Sequence, residues 1–340
     1  QRILVLGMGV SGCAAAELAA HDGADVIVLD AKDDDQLRDR ADGYRRRGMT
    51  VCLDWHDDRW PEAVDLAVIS QGIAPGSRLG RLAQDLECPV ISELEYGFRH
   101  AACPVLAITG TNGKSTTTEL VTHCLRSSGR EVISAGNIGV PLCEVVRRHS
   151  DADFLVVEVS SFQLERVAQF SPLVGVLLNL TPDHLDHHPS FDDYLSTKLR
   201  IFANMKRCEQ AVLRLDLLEM PAVRDGLPSA GGQPITFTSE DDYRATFYLD
   251  EAGNLCQRRE GEGVPFLHRD ALRLRGRHNI ENVLAMLAIG HAAGIDPATL
   301  VAAAKTFAPS PHRLEFVAVH GGVTFINDSK ATNPDAMARA

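Results

Sequence analysis

A glycine loop between an apolar run and an amphipathic stretch is the feature that most restricts how this chain can fold. The apolar run, 105–108, has the length of a buried strand, and the loop 110–115 reads Gly-Thr-Asn-Gly-Lys-Ser. Apolar residues with helical spacing follow, up to Gly129, which is placed to end a helix. This order of strand, glycine loop and helix start predicts a phosphate-binding loop, where backbone N–H groups and the helix N-terminus attract phosphate oxygens.

Two side chains in this loop have the chemistry that nucleotide triphosphates require. Lys114 can reach the β- and γ-phosphates, and the hydroxyl of Ser115 can bind Mg²⁺. The loop is a shortened variant, because the general pattern has glycine at the position that Ile108 occupies here. The alternative is an ordinary strand-to-helix turn with an incidental Lys-Ser pair. We prefer the phosphate loop because strand, loop and helix all fall where the motif requires them.

The composition describes a globular protein with a moderately acidic surface. The chain has 340 residues, of which 45% are hydrophobic and 24% charged, so it is long enough for two or three domains. A net charge of −12 without a basic stripe argues against nucleic acid as a partner. Its eight cysteines form no CxxC pair, and no apolar stretch reaches about 18 residues. We therefore expect a soluble, cytoplasmic protein without signal peptide or membrane segment. A monomer is our expectation as well, although composition does not decide it. The first residue, Gln, indicates a trimmed or processed start.

The N-terminal part contains a second glycine motif, Gly-x-Gly-x-x-Gly at 7–12, between predicted strands. With Asp30 at the end of the next strand, it matches the dinucleotide fingerprint and, taken alone, predicts an NAD-binding oxidoreductase. About a hundred residues precede the phosphate loop, however, which leaves room for only one mononucleotide-binding half. Ser70 and Gly72 follow a further predicted strand. We interpret this part as a Rossmann-like half for a nucleotide-linked substrate, although Gly12 alone is equally consistent with helix–strand packing.

Three chemical groups follow predicted strands in the middle of the chain: the phosphate loop, Glu158 and His184. Strands separated by helices predict a mostly parallel sheet, in which ligands bind beyond the carboxyl ends of the strands. The three groups should therefore converge on one edge. We expect Glu158 to be a Mg²⁺ ligand rather than a salt-bridged carboxylate. For His187 and His188, a solvated loop is the preferred interpretation.

Other polar residues are less informative. Residues 89–99 look like a connection into the second domain. The spacing around Lys198 indicates a lysine whose stem packs while its amine reaches solvent. Asn279 could cap a helix, whereas Asn282, one turn later, could face a ligand. Two further strands, 314–319 and 323–326, follow a proline linker.

At this point the chain resembles the Mur ligase family, the ATP-dependent amide-forming enzymes of peptidoglycan precursor synthesis, over essentially its whole length. The motifs that carry the resemblance are GlyThrAsnGlyLysSerThr (110–116), GlyAsnIleGly (136–139), GluValSerSerPheGlnLeuGlu (158–165), ThrProAspHisLeuAsp (181–186), LysLeuArgIlePhe (198–202), GlyArgHisAsnIleGluAsn (276–282), HisArgLeuGlu (312–315) and AsnAspSerLysAlaThrAsn (327–333). The resemblance implies an α/β fold of three domains. These are a Rossmann-like UDP-substrate domain at 1–98, a central ATP-binding phosphate-loop domain at 99–309, and the start of a Rossmann-like amino-acid domain at 310–340.

The resemblance also implies the reaction. ATP phosphorylates the carboxylate of UDP-N-acetylmuramoyl-L-alanine, and the acyl phosphate reacts with D-glutamate; a sister ligase that adds another amino acid, such as L-glutamate, is the alternative. ATP and Mg²⁺ are the implied cofactors, and the implied partners are small-molecule substrates only. Since the chain ends early in the third domain, we expect it to fold in its first two domains without turning over.

The resemblance assigns roles residue by residue. The implied catalytic residues are Lys114, Lys198 and His184, with Lys198 N-carboxylated so that it supports a second Mg²⁺. The implied ATP-binding residues are Gly110, Thr111, Asn112, Gly113, Lys114, Ser115, Thr116, Asn282, Arg313 and Asp328. The implied metal ligands are Ser115, Glu158, His184 and Lys198. The implied substrate-binding residues are Val10, Ser11, Gly12, Asp30, Ser70, Gly72, Asn137, Ser160, Lys330 and Thr332.

Overall fold

The computed structural model describes residues 1–57, 59–60, 62–149, 151–228, 232–308, 312 and 315–329. The packing of the backbone divides these residues into two compact units. Unit 1 consists of Gln1–Cys103, Ala135–Asp151 and Ser160–Phe170, and unit 2 of the other described residues. The expected domain boundaries, after residues 98 and 309, stay a prediction.

The N-terminal part of unit 1 is a parallel α/β sheet. Its elements are β1 (Arg2–Leu6), α1 (Val10–His21), β2 (Asp25–Leu29), α2 (Asp35–Arg46), β3 (Thr50–Cys52), β4 (Leu66–Ile69), α3 (Arg78–Asp85), β5 (Val90–Ser92) and α4 (Glu93–Arg99). The strand order is β3-β2-β1-β4-β5, with every pair parallel. The order reverses between β1 and β4, so the sheet extends past a topological switch point. Our expectation of a single mononucleotide-binding half was therefore wrong, because the short strands β4 and β5 carry the sheet further.

Both faces of this sheet are buried. Ile3 and Val5 pack into one apolar cluster, while Leu4 and Leu6 pack into another. Successive side chains of a strand point to opposite faces, so a strand covered on both sides is apolar without interruption. This explains why the N-terminal strands appear in the sequence as continuous apolar runs.

The remaining elements follow residue 104. They are β6 (Val105–Thr109), α5 (Lys114–Ser127), β7 (Val132–Gly136), α6 (Leu142–Arg148), β8 (Phe154–Glu158), α7 (Ser161–Leu164), β9 (Val174–Leu177), α8 (Phe191–Leu199), β10 (Gln210–Arg214), α9 (Pro221–Gly226), β11 (Ile235–Thr238), β12 (Phe247–Leu249), β13 (Asn254–Arg259), β14 (Glu262–His268), α10 (Arg277–Ala292), α11 (Pro297–Thr306), β15 (Glu315–His320) and β16 (Val323–Asn327). Of these, α6 and α7 fall in unit 1.

A nine-stranded sheet forms the centre of this part, in the order β14-β13-β12-β11-β10-β9-β6-β8-β7. The pairs from β12 through β6 to β8 are parallel, whereas β12-β13 and β13-β14 are antiparallel. The predicted mostly parallel sheet is confirmed. Since β6 lies between β8 and β9, whatever follows these three strands meets at one carboxyl edge.

The last described strands, β15 and β16, pair as an antiparallel hairpin, which confirms the two strands expected there. Among the residues that the structure describes, no helix is long and apolar enough to cross a membrane.

Candidate active site

The loop between β6 and α5 has the backbone conformation that a phosphate cradle needs. Gly110 and Gly113 have φ angles of +154° and +84°, which residues with a Cβ rarely adopt. A Cβ on Gly113 would lie 2.4 Å from Oδ1 of Asn282. Lys114 begins α5, which has no side-chain cap, and its Nζ donates to the carbonyl oxygens of Gly110 and Thr111 at 3.0 and 2.8 Å. The loop therefore combines a helix N-terminus with a primary amine, a suitable pair for an anion.

The segment after β9 holds this loop in place. Nδ2 of Asn179 donates to the carbonyl oxygen of Asn112, and its Oδ1 accepts from the backbone N–H of Asn112, both at 2.9 Å. Oγ1 of Thr111 accepts from the backbone N–H of Thr181 at 3.1 Å and lies 3.2 Å from the hydroxyl of Tyr194. Sequence reasoning missed Asn179 and Tyr194. Asn179 could have been noticed as a polar residue that follows an apolar run, two residues after β9 ends at Leu177.

Glu158 is the last residue of β8 and pairs in register with Ile108 of β6. The residue is 2% exposed, on a strand that is buried throughout. An ionised carboxylate in such surroundings is costly unless a cation compensates it. This places a carboxylate directly beside the strand that leads into the phosphate loop, as the sheet topology predicted.

Lys198, near the end of α8, is buried and faces the same loop. It is 2% exposed, its Nζ donates to the carbonyl oxygen of Gly110 at 3.0 Å, and the ring centre of Tyr194 lies 4.7 Å away. Burial, followed by the nearby charge of Lys114, lowers the pKa of Lys198 well below its ordinary value, although two nearby carboxylates act in the opposite direction. The interpretation of a lysine that reaches solvent was wrong, because α8 packs this position against the phosphate loop.

The histidines after β9 differ in their surroundings. His184 is exposed, with φ at +54°, and its ring centre is 6.4 Å from that of Tyr194. His188 is 3% exposed, with its ring centre 5.2 Å from Tyr194. The expected solvated loop is therefore wrong for His188, while His187 is half-buried. His184 therefore lies near Tyr194 of α8, with its side chain exposed.

The amide of Asn282 lies against the start of α5. Its Oδ1 accepts from Oγ1 of Thr117 at 3.3 Å, and its Nδ2 donates to Oδ1 of Asn279 at 3.2 Å. Asn279 does not cap α10, because the cap position is Gly276 and Nδ2 of Asn279 donates to the carbonyl oxygen of Arg275. Ser115 and Thr116, the remaining loop residues, form the first turn of α5.

In unit 1, the first residues of the glycine motif line a cavity of about 500 Å³. Asp30, Ser70 and Gly72 line it, together with Gly7, Met8 and Gly9. Oδ2 of Asp30 accepts from the backbone N–H of Met8 at 2.6 Å. Val10, Ser11 and Gly12 form the first turn of α1, and a Cβ on Gly12 would lie 1.9 Å from the carbonyl oxygen of Gly7. Close helix–strand packing thus accounts for Gly12.

Other predicted site residues have separate positions. Asn137 follows β7 and is half-buried. Ser160 forms a capping box with Gln163 at the start of α7, so its hydroxyl already serves that helix. Asp328 follows β16 directly. Arg313, Lys330 and Thr332 lie outside the described residues.

Comparisons with known proteins agree with this geometry. The Mur ligase middle domain matches residues 108–290. The UDP-N-acetylmuramoylalanine–D-glutamate ligase of Thermoanaerobacter pseudethanolicus is 35% identical over the whole chain and 74% of its own length. The same-named enzyme of Pelotomaculum thermopropionicum is 37% identical, with the same coverage.

Solved structures give the same fold. UDP-N-acetylmuramate–alanine ligase of Thermotoga maritima superposes with a TM-score of 0.56 at 21% identity, covering 99% of this chain and 76% of that one. The MurF ligase of the same organism, solved in complex with ADP, has a TM-score of 0.58 at 19% identity, covering 93% of this chain and 70% of that one. The sequence relatives and the matched middle domain show that the chain belongs to the Mur ligases, among the UDP-N-acetylmuramoylalanine–D-glutamate ligases.

Proposed function

We propose that the site in this chain serves a ligase reaction in which ATP phosphorylates the carboxylate of UDP-N-acetylmuramoyl-L-alanine and the acyl phosphate then reacts with the amine of D-glutamate. The observation that carries the proposal is one sheet edge that combines the phosphate loop and Lys114 with two buried ionisable groups, Glu158 and Lys198. D-glutamate as the amino acid is supported by the names of relatives that share 35–37% of the sequence.

In the first step, a substrate carboxylate oxygen attacks the γ-phosphorus and the bond to the β-phosphate oxygen breaks, releasing ADP. The protein contributes position and charge more than covalent chemistry. The Lys114 amine, which donates to carbonyl oxygens of the phosphate loop in this structure, would offset negative charge on the transferring phosphoryl group. In the second step, the D-glutamate nitrogen bonds to the acyl carbon, phosphate leaves, and the amine proton passes to solvent or phosphate.

The residues at this edge also fit a divalent cation. Ser115 offers a hydroxyl oxygen and Glu158 a buried carboxylate, and oxygen donors of this kind suit Mg²⁺. His184 would add an imidazole nitrogen to these two oxygen donors. Mg²⁺, when bound, would reduce the repulsion between the substrate carboxylate and the triphosphate.

Lys198 would act as an N-carboxylated lysine. Burial favours its neutral amine, whose nitrogen can bond to the carbon of CO₂ while one proton leaves to solvent. The product is an anion beside the phosphate loop. In the full-length enzyme, Lys198→Ala should abolish ligation, and short-chain carboxylates should restore part of it, while Lys206→Ala on the exposed surface should have no effect. Wild-type rates in unrescued Lys198→Ala would rule this role out.

The substrate assignment has a direct test. We expect the chain to bind ATP and UDP-N-acetylmuramoyl-L-alanine in calorimetric titrations and not to bind NADH; binding of NADH alone would favour the oxidoreductase alternative. A panel of amino acids assayed with the full-length enzyme should show turnover with D-glutamate. Preference for L-glutamate would identify a sister ligase instead. A cytoplasmic location, supported by eight free cysteines, and a monomeric state stay predictions.

A further inference from the structure

We propose that Arg40 binds an anionic oxygen of the substrate's diphosphate in the cavity of unit 1. This assignment rests on the proposed function, in which unit 1 holds the UDP part of the substrate. It was not among the residues that sequence reasoning selected, since Arg40 lies in the middle of α2, ten residues after Asp30. The juxtaposition that points to it is an arginine on a helix beside the glycine turn that follows β1.

The acidic side chains of the cavity already accept backbone hydrogen bonds. Oδ2 of Asp30 accepts from the N–H of Met8 at 2.6 Å, and its Oδ1 from the N–H of Lys32 at 2.9 Å. Asp34 caps α2, with Oδ1 accepting from the N–H of Leu37 at 2.9 Å. Both carboxylates therefore have a structural function at the cavity wall, and they are less available to a ligand than the cations there.

Arg40, by contrast, is a cation of the cavity wall. The residue is half-buried and lines the cavity, and its Nη1 donates to the carbonyl oxygen of Met8 at 2.7 Å, with Sγ of Cys13 3.6 Å away. Within the described ranges of the chain, Arg40 forms no ion pair, and neither its Nε nor its Nη2 donates a hydrogen bond. Arg38, two residues earlier, pairs with Asp33 and Asp35. The Nε and Nη2 donors of Arg40 can therefore bind a ligand in the cavity.

The chemistry of the guanidinium selects an anion. Its planar fork matches two oxygens of a phosphate, and such charge-assisted bonds are about twice as strong as neutral ones. The chain carries a net charge of −12, so a diphosphate needs a local cation to offset the overall field. The hydrogen bond to Met8 fixes the guanidinium beside the turn, which reduces the entropy lost when a ligand binds.

The test compares UDP with uridine, because only UDP carries the diphosphate. Calorimetry with UDP and ligand-observed NMR with uridine should show that Arg40→Ala weakens UDP about tenfold and uridine less than about twofold. Arg40→Lys, which keeps the charge without the fork, should fall between wild type and Arg40→Ala. Arg38→Ala is the matched control: it removes the same charge from the same helix outside the cavity, and UDP affinity should stay within about twofold.

Each other outcome has a distinct meaning. Equal loss of UDP and uridine affinity in Arg40→Ala would overturn the phosphate contact and favour a contact to the nucleoside. Unchanged UDP affinity in both Arg40 variants, or equal losses in Arg38→Ala and Arg40→Ala, would also overturn it. A folded wild-type chain that binds neither UDP nor the muramoyl substrate would contradict the proposed function itself.

Discussion

Replacement of Glu95 by alanine should destabilise unit 1 more than any surface substitution. This glutamate, in the middle of α4, is 0% exposed. Its Oε2 accepts from the backbone N–H groups of Ala168, Gln169 and Phe170 at 2.9, 3.1 and 3.0 Å, and its Oε1 accepts from Nε of Arg99 at 2.8 Å. One carboxylate thus satisfies three consecutive N–H groups at the end of the 160–170 segment, and the stretch we expected to be a mere connection is a packed helix.

The magnitude follows from the hydrogen bonds that alanine would remove. Phe170 is fully buried, so loss of the hydrogen bond from its N–H should lower the free energy of unfolding by about 2 kcal/mol. Ala168 and Gln169 are exposed, so water can partly replace the lost hydrogen bonds, and each loss should cost about 1 kcal/mol of the free energy of unfolding. We therefore expect the free energy of unfolding to fall by about 4 kcal/mol, mostly through these three donors.

Urea denaturation and hydrogen exchange measure the two parts of this effect. The midpoint should shift without a change in slope, and the amides of Ala168, Gln169 and Phe170 should lose protection. Glu87→Ala provides the control, because Glu87 is exposed and should change stability by less than about 0.5 kcal/mol. A loss below about 1 kcal/mol for Glu95→Ala, or unchanged protection of these amides, would refute the reasoning.

Two further predictions concern Glu93 and Gly113. Burial raises the pKa of Glu93, which accepts from the N–H of Cys143 at 2.6 Å, from 4.5 to about 7; the folded chain therefore holds this proton to a higher pH than the unfolded one. The free energy of unfolding should fall by about 3 kcal/mol as pH rises from about 4.5 to 7, and a Glu93→Gln variant with the same decline would contradict this. Gly113→Ala should weaken ATP binding at least about tenfold, because the added Cβ would meet Asn282. Gly129→Ala is the control: it has a similar φ of +81° and open space around the added Cβ, so ATP binding should stay unchanged. Equal ATP affinities in the two variants would contradict this explanation.

The parts of the site that sequence could predict are those whose geometry is local. Positions 110–115 contain the whole phosphate cradle, since the glycines, the lysine and the helix start are contiguous. Glu158 was predictable because it ends an apolar strand, and the ends of parallel strands share an edge. In both cases a short stretch of sequence determines the backbone conformation, and the sheet topology then determines where the functional side chains lie.

The parts that sequence could not predict depend on partners far along the chain. The bonds between Asn179 and Asn112 join residues 67 positions apart. The apolar run before Asn179 makes it noticeable, but nothing in the sequence identifies Asn112 as its partner. Lys198 has the helical spacing of an ordinary amphipathic lysine, and only the packing of α8 against β6 turns its amine inward. The size of the first sheet was underestimated for a different reason. Strand β5 has only three residues, which is too short for a sequence pattern to indicate a strand.

This contrast has a physical basis. A residue at the carboxyl end of a strand is fixed by the register of the sheet, so Glu158 and Asp30 reach the ligand edge whatever the helices do. A helical residue reaches that edge only if the helix packs with the correct rotation, as Lys198 does on α8 and Arg40 on α2. We therefore expect the strand-end groups to set the position of a ligand, and the helical cations to be the groups whose position depends on side-chain packing.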